Sequence, residues 1–101
     1  MPNLTQEQLN KRLLEAIEDN NIEAFRRALE EGADVDSQTR YKNTLLHEAA
    51  YWGRKEIARV LIDNGIPVNA RNMFEHTPLY IATVWEHTET VDLLEQQGGV
   101  K

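Results

Sequence analysis

Three histidines are the side chains best suited to chemistry at neutral pH. Histidine is the usual metal ligand and proton carrier in that range, and the chain carries His47, His76 and His87. Cysteine is absent, which excludes disulfides, thiolate metal sites and thiol nucleophiles. The histidines fall on separate predicted elements, so we expect neither a shared metal site nor any other cofactor.

Carboxylates form two local groups, the pair Glu30–Glu31 and the trio Glu15, Glu18 and Asp19. Paired carboxylates do acid–base work only where a cleft drives their pKa values apart, whereas these lie on the predicted solvent faces of short helices. The single serine, Ser37, has no partner residue for nucleophilic catalysis, and no glycine-rich phosphate loop is present. The sequence therefore predicts that the protein is not an enzyme.

These residues sit in a chain that repeats itself. The stretch from Asn43 to Ala70 matches the following segment at a shift of 33 residues, and matches the preceding segment less fully at the same shift. The forward matches are Thr44 to Thr77, Leu46 to Leu79, Ala49 to Ala82, Trp52 to Trp85, Glu56 to Glu89, Leu61 to Leu94 and Gly65 to Gly98. A fixed period of this length predicts a stacked helical array rather than one closed core.

Each unit is predicted to contain two helices. Thr5 with Gln8 forms a capping-box pattern ahead of a helix over about 6–18, and Pro78 suits the first turn of a later helix. Further helices are predicted over about 55–64 and 88–97. The apolar seam between units is predicted to be built from Leu46, Ala49, Leu61, Leu79, Ala82 and Leu94.

Two segments carry a family resemblance. Residues 44–50, TLLHEAA, and 77–82, TPLYIA, both resemble the ankyrin signature T-P-L-H-x-A, and residues 56–65 resemble the second ankyrin helix. The resemblance covers about residues 4–101. It implies an all-α solenoid of three helix-turn-helix units joined by β-hairpin-like loops, here called fingers (36–43 and 70–76). It also implies that His47 makes hydrogen bonds between backbone loops.

The expected organisation is a single domain over 1–101. It divides into an N-capping repeat (about 4–36), a central repeat (37–70) and a C-capping repeat (71–101). The family usually has glycine where this chain has Lys42, Glu75 and Glu86, so we expect strained, left-handed backbone at those three positions.

Charge is unevenly distributed. The formal net charge is −6, with −5 in residues 1–36, +2 in 37–70 and −3 in 71–101. The acidic total argues against a nucleic-acid partner. No apolar run approaches the roughly 20 residues of a bilayer span, and the N-terminus lacks a signal-peptide pattern. We therefore expect a cytoplasmic or otherwise intracellular soluble protein that does not bind membranes.

The aromatic residues outside the predicted core point to function. Tyr41 and Phe74 match one repeat apart on the fingers, and Trp52 and Trp85 match near the ends of helices. The resemblance implies a concave surface that binds partner proteins, and residues of these types are enriched in interface hot spots. The predicted binding residues are Arg40, Tyr41, Asn43, Tyr51, Trp52, Arg71, Met73, Phe74, His76 and Trp85.

The predicted function is therefore protein binding without turnover. We expect a monomer whose partner is a protein with an acidic rim and an apolar centre. In one alternative the same aromatic residues, which form ridges on the surface, mediate self-association and the protein has a structural role. In another, Trp52 and Trp85 simply pack on each other and seal the boundary between repeats.

Overall fold

The computed structural model describes residues 4–101, and over this range it contains six α-helices and no strand. They form three antiparallel pairs: α1 (Gln6–Glu18) with α2 (Ile22–Glu30), α3 (Leu45–Trp52) with α4 (Lys55–Asp63), and α5 (Pro78–Val84) with α6 (Thr88–Gln96). A 3-10 turn, Arg40–Lys42, precedes α3. The all-helical prediction is confirmed.

Threonine fixes the start of the first helix in every pair. Thr5, Thr44 and Thr77 each accept a hydrogen bond from the backbone three residues on. Thr5 completes the predicted capping box with Gln8. Pro78 occupies the first helical turn, where its missing N–H costs nothing.

The helix ends differ slightly from the predictions. Helices α4 and α6 each end one residue earlier than expected, at Asp63 and Gln96, because Asn64 and Gln97 are the cap residues. Left-handed backbone at Lys42, Glu75 and Glu86 is confirmed, and Tyr41 and Asn20 share it.

The core runs along the stack. Helices α1, α3 and α5 contact one another in order and form one layer, and α2, α4 and α6 form the other. All six predicted seam residues are buried between these layers. The molecule measures 44 × 25 × 21 Å, so it is elongated as a stack of units must be. None of the described helices combines the length and apolar character that crossing a bilayer requires.

The fingers are closed by single turns. In the first finger Thr39 N–H donates to Asn43 O (2.9 Å), and in the second Asn72 N–H donates to His76 O (3.1 Å). Met73 N–H links the two by donating to Tyr41 O (2.9 Å). The predicted hairpin-like form is not confirmed, since residues 4–101 include no strand.

Side chains also tie successive pairs together. Arg54 begins α4 and donates through Nη2 to Glu18 O (2.7 Å). His87 stands 33 residues later, at the start of α6, and its Nε2 lies 2.8 Å from Tyr51 O. Both therefore join the second helix of one pair to the first helix of the preceding pair, at equivalent places in the array.

Candidate functional site

One groove is the candidate site. It has a volume of about 800 Å³ and lies along the layer of first helices, where it is lined by α1, the first finger, α3 and, in and just after α5, Ile81 and Trp85. Its lining residues are Glu7, Asn10, Lys11, Leu14, Glu18, Ser37, Gln38, Thr39, Arg40, Tyr41, Asn43, Leu45, Glu48, Tyr51, Trp52, Ile81 and Trp85. A concave site of this size, with apolar and charged residues together, is typical of a binding site.

Three aromatic rings form one end of the groove, and we call Tyr51, Trp52 and Trp85 the aromatic cluster. Tyr51 makes edge contacts with Trp52 (centroids 5.2 Å apart) and with Trp85 (4.9 Å). Their side chains stay 40%, 37% and 53% exposed. Rings that contact one another yet remain this exposed offer a preformed apolar surface at little entropic cost.

This geometry corrects one interpretation of the tryptophans. Trp52 and Trp85 do occupy equivalent positions, but Tyr51 contacts both rings and joins the two repeats, in place of a direct tryptophan pair. The guanidinium of Arg54 also lies over the Trp52 ring, 5.8 Å from the ring centroid. Trp52 is thus held by Tyr51 and Arg54 together.

A second aromatic row follows the fingers, and we call Tyr41, Phe74, His76 and Tyr80 the finger ridge. The rings of Tyr41 and Phe74 lie 5.4 Å apart, Phe74 and His76 6.1 Å, and His76 stacks on Tyr80 at 4.2 Å. Tyr41 and Phe74 are each more than half exposed, as is Met73 beside them. The ridge therefore continues across both fingers and onto α5.

Strained backbone holds Tyr41 in this row. Its φ of 63° lies in the left-handed region, which a bulky side chain seldom occupies. Such strain costs about 1–3 kcal/mol and persists only where surrounding contacts fix it. Here those contacts are the hydrogen bond from Met73 N–H to Tyr41 O and the ring of Phe74. The second finger thus fixes the conformation of the first.

Among the hydrogen bonds formed within residues 4–101, Glu48 is the groove carboxylate that side chains hold in place. Its Oε2 accepts from Thr39 Oγ1 (2.8 Å) and from Asn43 Nδ2 (3.1 Å). Asn43 Oδ1 in turn accepts from Asn72 Nδ2 (2.9 Å), and Asn72 is buried. The two fingers therefore combine to orient one half-buried carboxylate on α3.

His47 has a structural place, as the resemblance implied. Its Nδ1 accepts the backbone N–H of Thr44 (3.0 Å), so the proton lies on Nε2, which donates to His76 O (2.8 Å). The ring is fully buried, and this burial lowers the pKa of His47 below 6.5 despite its backbone hydrogen bonds. A neutral, fully bonded ring away from solvent joins two loops and has no free nitrogen for chemistry.

The structure divides the ten predicted binding residues between two adjacent surfaces. Six of them line the groove: Arg40, Tyr41, Asn43, Tyr51, Trp52 and Trp85. Phe74 and His76 belong to the finger ridge, with Met73 exposed beside them. Arg71 is exposed and donates through Nη1 to Glu75 O within its own finger (2.9 Å).

Sequence reasoning missed one wall of the groove and its floor. The wall is the face of α1 that carries Glu7, Lys11, Leu14 and Glu18. At the floor, Glu48 precedes Trp52 by one helical turn, and Ile81 precedes Trp85 in the same way one repeat later. That recurring i, i+4 spacing was the available signal. Over residues 4–101 no three His, Cys, Asp or Glu side chains are grouped as a metal site would need.

Comparison with known proteins agrees with the repeat geometry. A family model described as ankyrin repeats, in three copies, matches residues 13–100. No curated protein matches the chain.

Proposed function

Because the chain belongs to the ankyrin-repeat family, we propose that it is a non-catalytic module that binds a partner protein in the groove and along the finger ridge. Ankyrin repeats are in general protein-interaction modules and are in general not catalytic. The observation that carries the proposal is the exposed aromatic cluster at one end of an 800 Å³ groove.

The charges next to these aromatics define the kind of partner. Arg40 lies on the first finger at the edge of the groove, and the repeat that carries it is the basic one. Arginine presents a forked set of donors that matches a carboxylate. We propose a partner with an acidic rim that faces Arg40 and an apolar centre that covers the aromatic cluster and the finger ridge.

The proposed unit of function is the whole array, with the repeats at about 4–36, 37–70 and 71–101. The groove supports this proposal because all three repeats contribute lining residues, from α1, from the first finger with α3, and from α5. We propose that the fingers, whose turns are closed by the hydrogen bonds of Thr39 and Asn72, act as short hairpin-like loops that present Tyr41, Phe74 and His76.

The test is affinity capture with a matched pair of variants. Trp52→Ala removes an exposed groove residue, and Arg26→Ala removes an exposed residue of α2, in the layer that faces away from the groove. We expect a protein retained by the native chain and by Arg26→Ala to be lost with Trp52→Ala. If all three retain the same proteins equally, and circular dichroism shows each to be folded, the groove is not the binding site.

Self-association through the finger ridge is the second candidate, and the exposure of Tyr41, Met73 and Phe74 is what favours it. Light scattering across a wide concentration range separates the two. A mass that stays at that of one 11.7 kDa chain argues for a separate partner. A mass that doubles with concentration, and no longer doubles in Phe74→Ala, argues for self-association.

A further inference from the structure

We infer that the groove receives an arginine side chain of the partner, with its guanidinium on the Glu48 carboxylate and its flat face against the aromatic cluster. This rests on the proposed function, since it names the chemistry that the groove would recognise.

Glu48 is a preorganised acceptor. Both hydrogen bonds to it come from neutral donors, Thr39 and Asn43, and both end on Oε2. Within residues 4–101 no hydrogen bond to Oε1 is formed, and the residue lines the groove. A half-buried, groove-lining carboxylate with one oxygen fixed and the other without a hydrogen bond gains most from a cationic donor, because charge-assisted bonds are stronger than neutral ones.

The balance of charge in the groove points the same way. Three carboxylates line it (Glu7, Glu18 and Glu48) against two cations (Lys11 and Arg40). Arg40 belongs to the finger, whereas Glu48 lies on α3. The groove therefore presents an exposed basic residue on the finger and a half-buried carboxylate on α3. A partner with an acidic rim and with one cation set within its apolar centre is complementary to these two residues.

The neighbouring rings select arginine over lysine. Tyr51 and Trp52 follow Glu48 by three and four residues, so all three project from one side of α3. Guanidinium is planar, can bond a carboxylate and stacks on aromatic rings, whereas an ammonium is a compact and strongly hydrated charge. The pairing of Arg54 with Trp52 shows the same contact within this chain.

Selection of peptides tests the inference on the intact chain. A library of random dodecapeptides displayed on phage is selected on the native protein and eluted peptides are sequenced. Glu48→Gln keeps the shape and the acceptor oxygen that Thr39 and Asn43 require, but it removes the charge. Glu56→Gln is the matched control, because Glu56 is exposed on α4 and does not line the groove.

We expect the native protein and Glu56→Gln to select peptides that share an arginine. Replacing that arginine with neutral citrulline, or replacing Glu48 with Gln, should weaken binding at least about tenfold, and combining the two should add little. Lysine in its place should weaken binding several-fold. Competition by these peptides with the captured partner places them at the same surface.

Two results would overturn the inference. If the selected peptides bind in a Trp52-dependent way but share no arginine, or bind Glu48→Gln as tightly as the native protein, the arginine site is wrong while the proposed binding function stands. If no selected peptide depends on Trp52 or Glu48, the groove is not a recognition site, and the inference fails together with the groove as the proposed binding surface.

Discussion

Three charged residues occupy backbone positions that favour glycine. Lys42, Glu75 and Glu86 have φ values of 57°, 65° and 59°, and Glu86 stands one repeat after Gly53, whose φ is 71°. A residue with a Cβ is strained in this region by about 1–2 kcal/mol. The turns are therefore dictated by the packing of the helices they join, and the sequence tolerates the local cost.

Glu86→Gly should stabilise the protein because it removes that strain. We expect the free energy of unfolding to rise by about 0.5–1 kcal/mol, the part of the strain that remains after the extra flexibility of glycine in the unfolded chain. Urea denaturation measures it. The same exchange in a right-handed helix, Glu15→Gly in the middle of α1, should instead lower stability by a similar amount. If both substitutions change the free energy of unfolding in the same direction, backbone strain at Glu86 is not the cause.

His47 makes stability depend on pH. Burial lowers the pKa of His47 in the folded state below 6.5, so the unfolded chain takes up a proton first as pH falls. The contribution of neutral His47 to the free energy of unfolding should thus be fully present above pH 6.5, and it should decline as the pH falls from there toward the pKa of His47 in the folded state. Urea denaturation between about pH 7.5 and 5.5 stays above the range in which most carboxylates titrate.

His47→Gln is the control for this dependence. Glutamine removes the titrating ring while His76 and His87 remain in both proteins, so their contributions cancel in the comparison. The variant should be less stable than the native protein at pH 7.5, and the difference should shrink on acidification. A difference that stays constant over the range would mean that protonation of His47 does not drive the loss.

At the scale of the helices, the sequence was informative where local chemistry decides the structure. Thr5 with Gln8 and Pro78 marked two helix starts, because a capping oxygen acts on the backbone three residues away and proline suits a first helical turn. The wall formed by α1 could not be predicted, because the equivalent of Glu48 in α1 is Glu15, which lies outside the groove, while Leu14 and Glu18 line it. The face that α1 turns toward the groove thus differs from that of α3. This difference depends on packing between repeats, which no single segment of the sequence encodes.

Substitution of Leu61 tests how strongly the stability of one repeat depends on its neighbours. It is fully buried on α4, which contacts both α2 and α6. Leu61→Ala should lower the free energy of unfolding by about 2–5 kcal/mol and shift the transition of the whole array. Val84→Ala, on a side chain that is 56% exposed, should change it by less than about 0.5 kcal/mol. Equal, small effects of both would mean that Leu61 does not belong to the seam.

At the scale of the whole molecule, the arrangement of charge and aromatic area separates two kinetic roles. Residues 37–70 carry a net charge of +2 between acidic flanks, and Arg40 is an exposed finger residue that lines the groove. Charge at the rim of an interface attracts the partner over a long range, and salt screens this attraction. Rim charge therefore governs mainly the association rate. Apolar area at the centre is exposed to water again only when the complex dissociates. It therefore governs mainly the dissociation rate, and so the lifetime of the complex.

Kinetic measurements on the captured partner test this separation. Arg40→Glu should slow association at low salt and have little effect at high salt. Trp52→Ala and Phe74→Ala should mainly speed dissociation and weaken binding by about 2 kcal/mol or more, the scale of interface hot spots. Arg26→Glu supplies the same charge reversal on α2, away from the groove, and should change neither rate appreciably. If neither aromatic variant alters dissociation, the aromatic residues are not the main contact. The acidic surface of the first repeat around Glu15, Glu18 and Asp19, of which Glu18 also lines the groove, is then the next to test, since residues 1–36 hold the largest net charge of the chain.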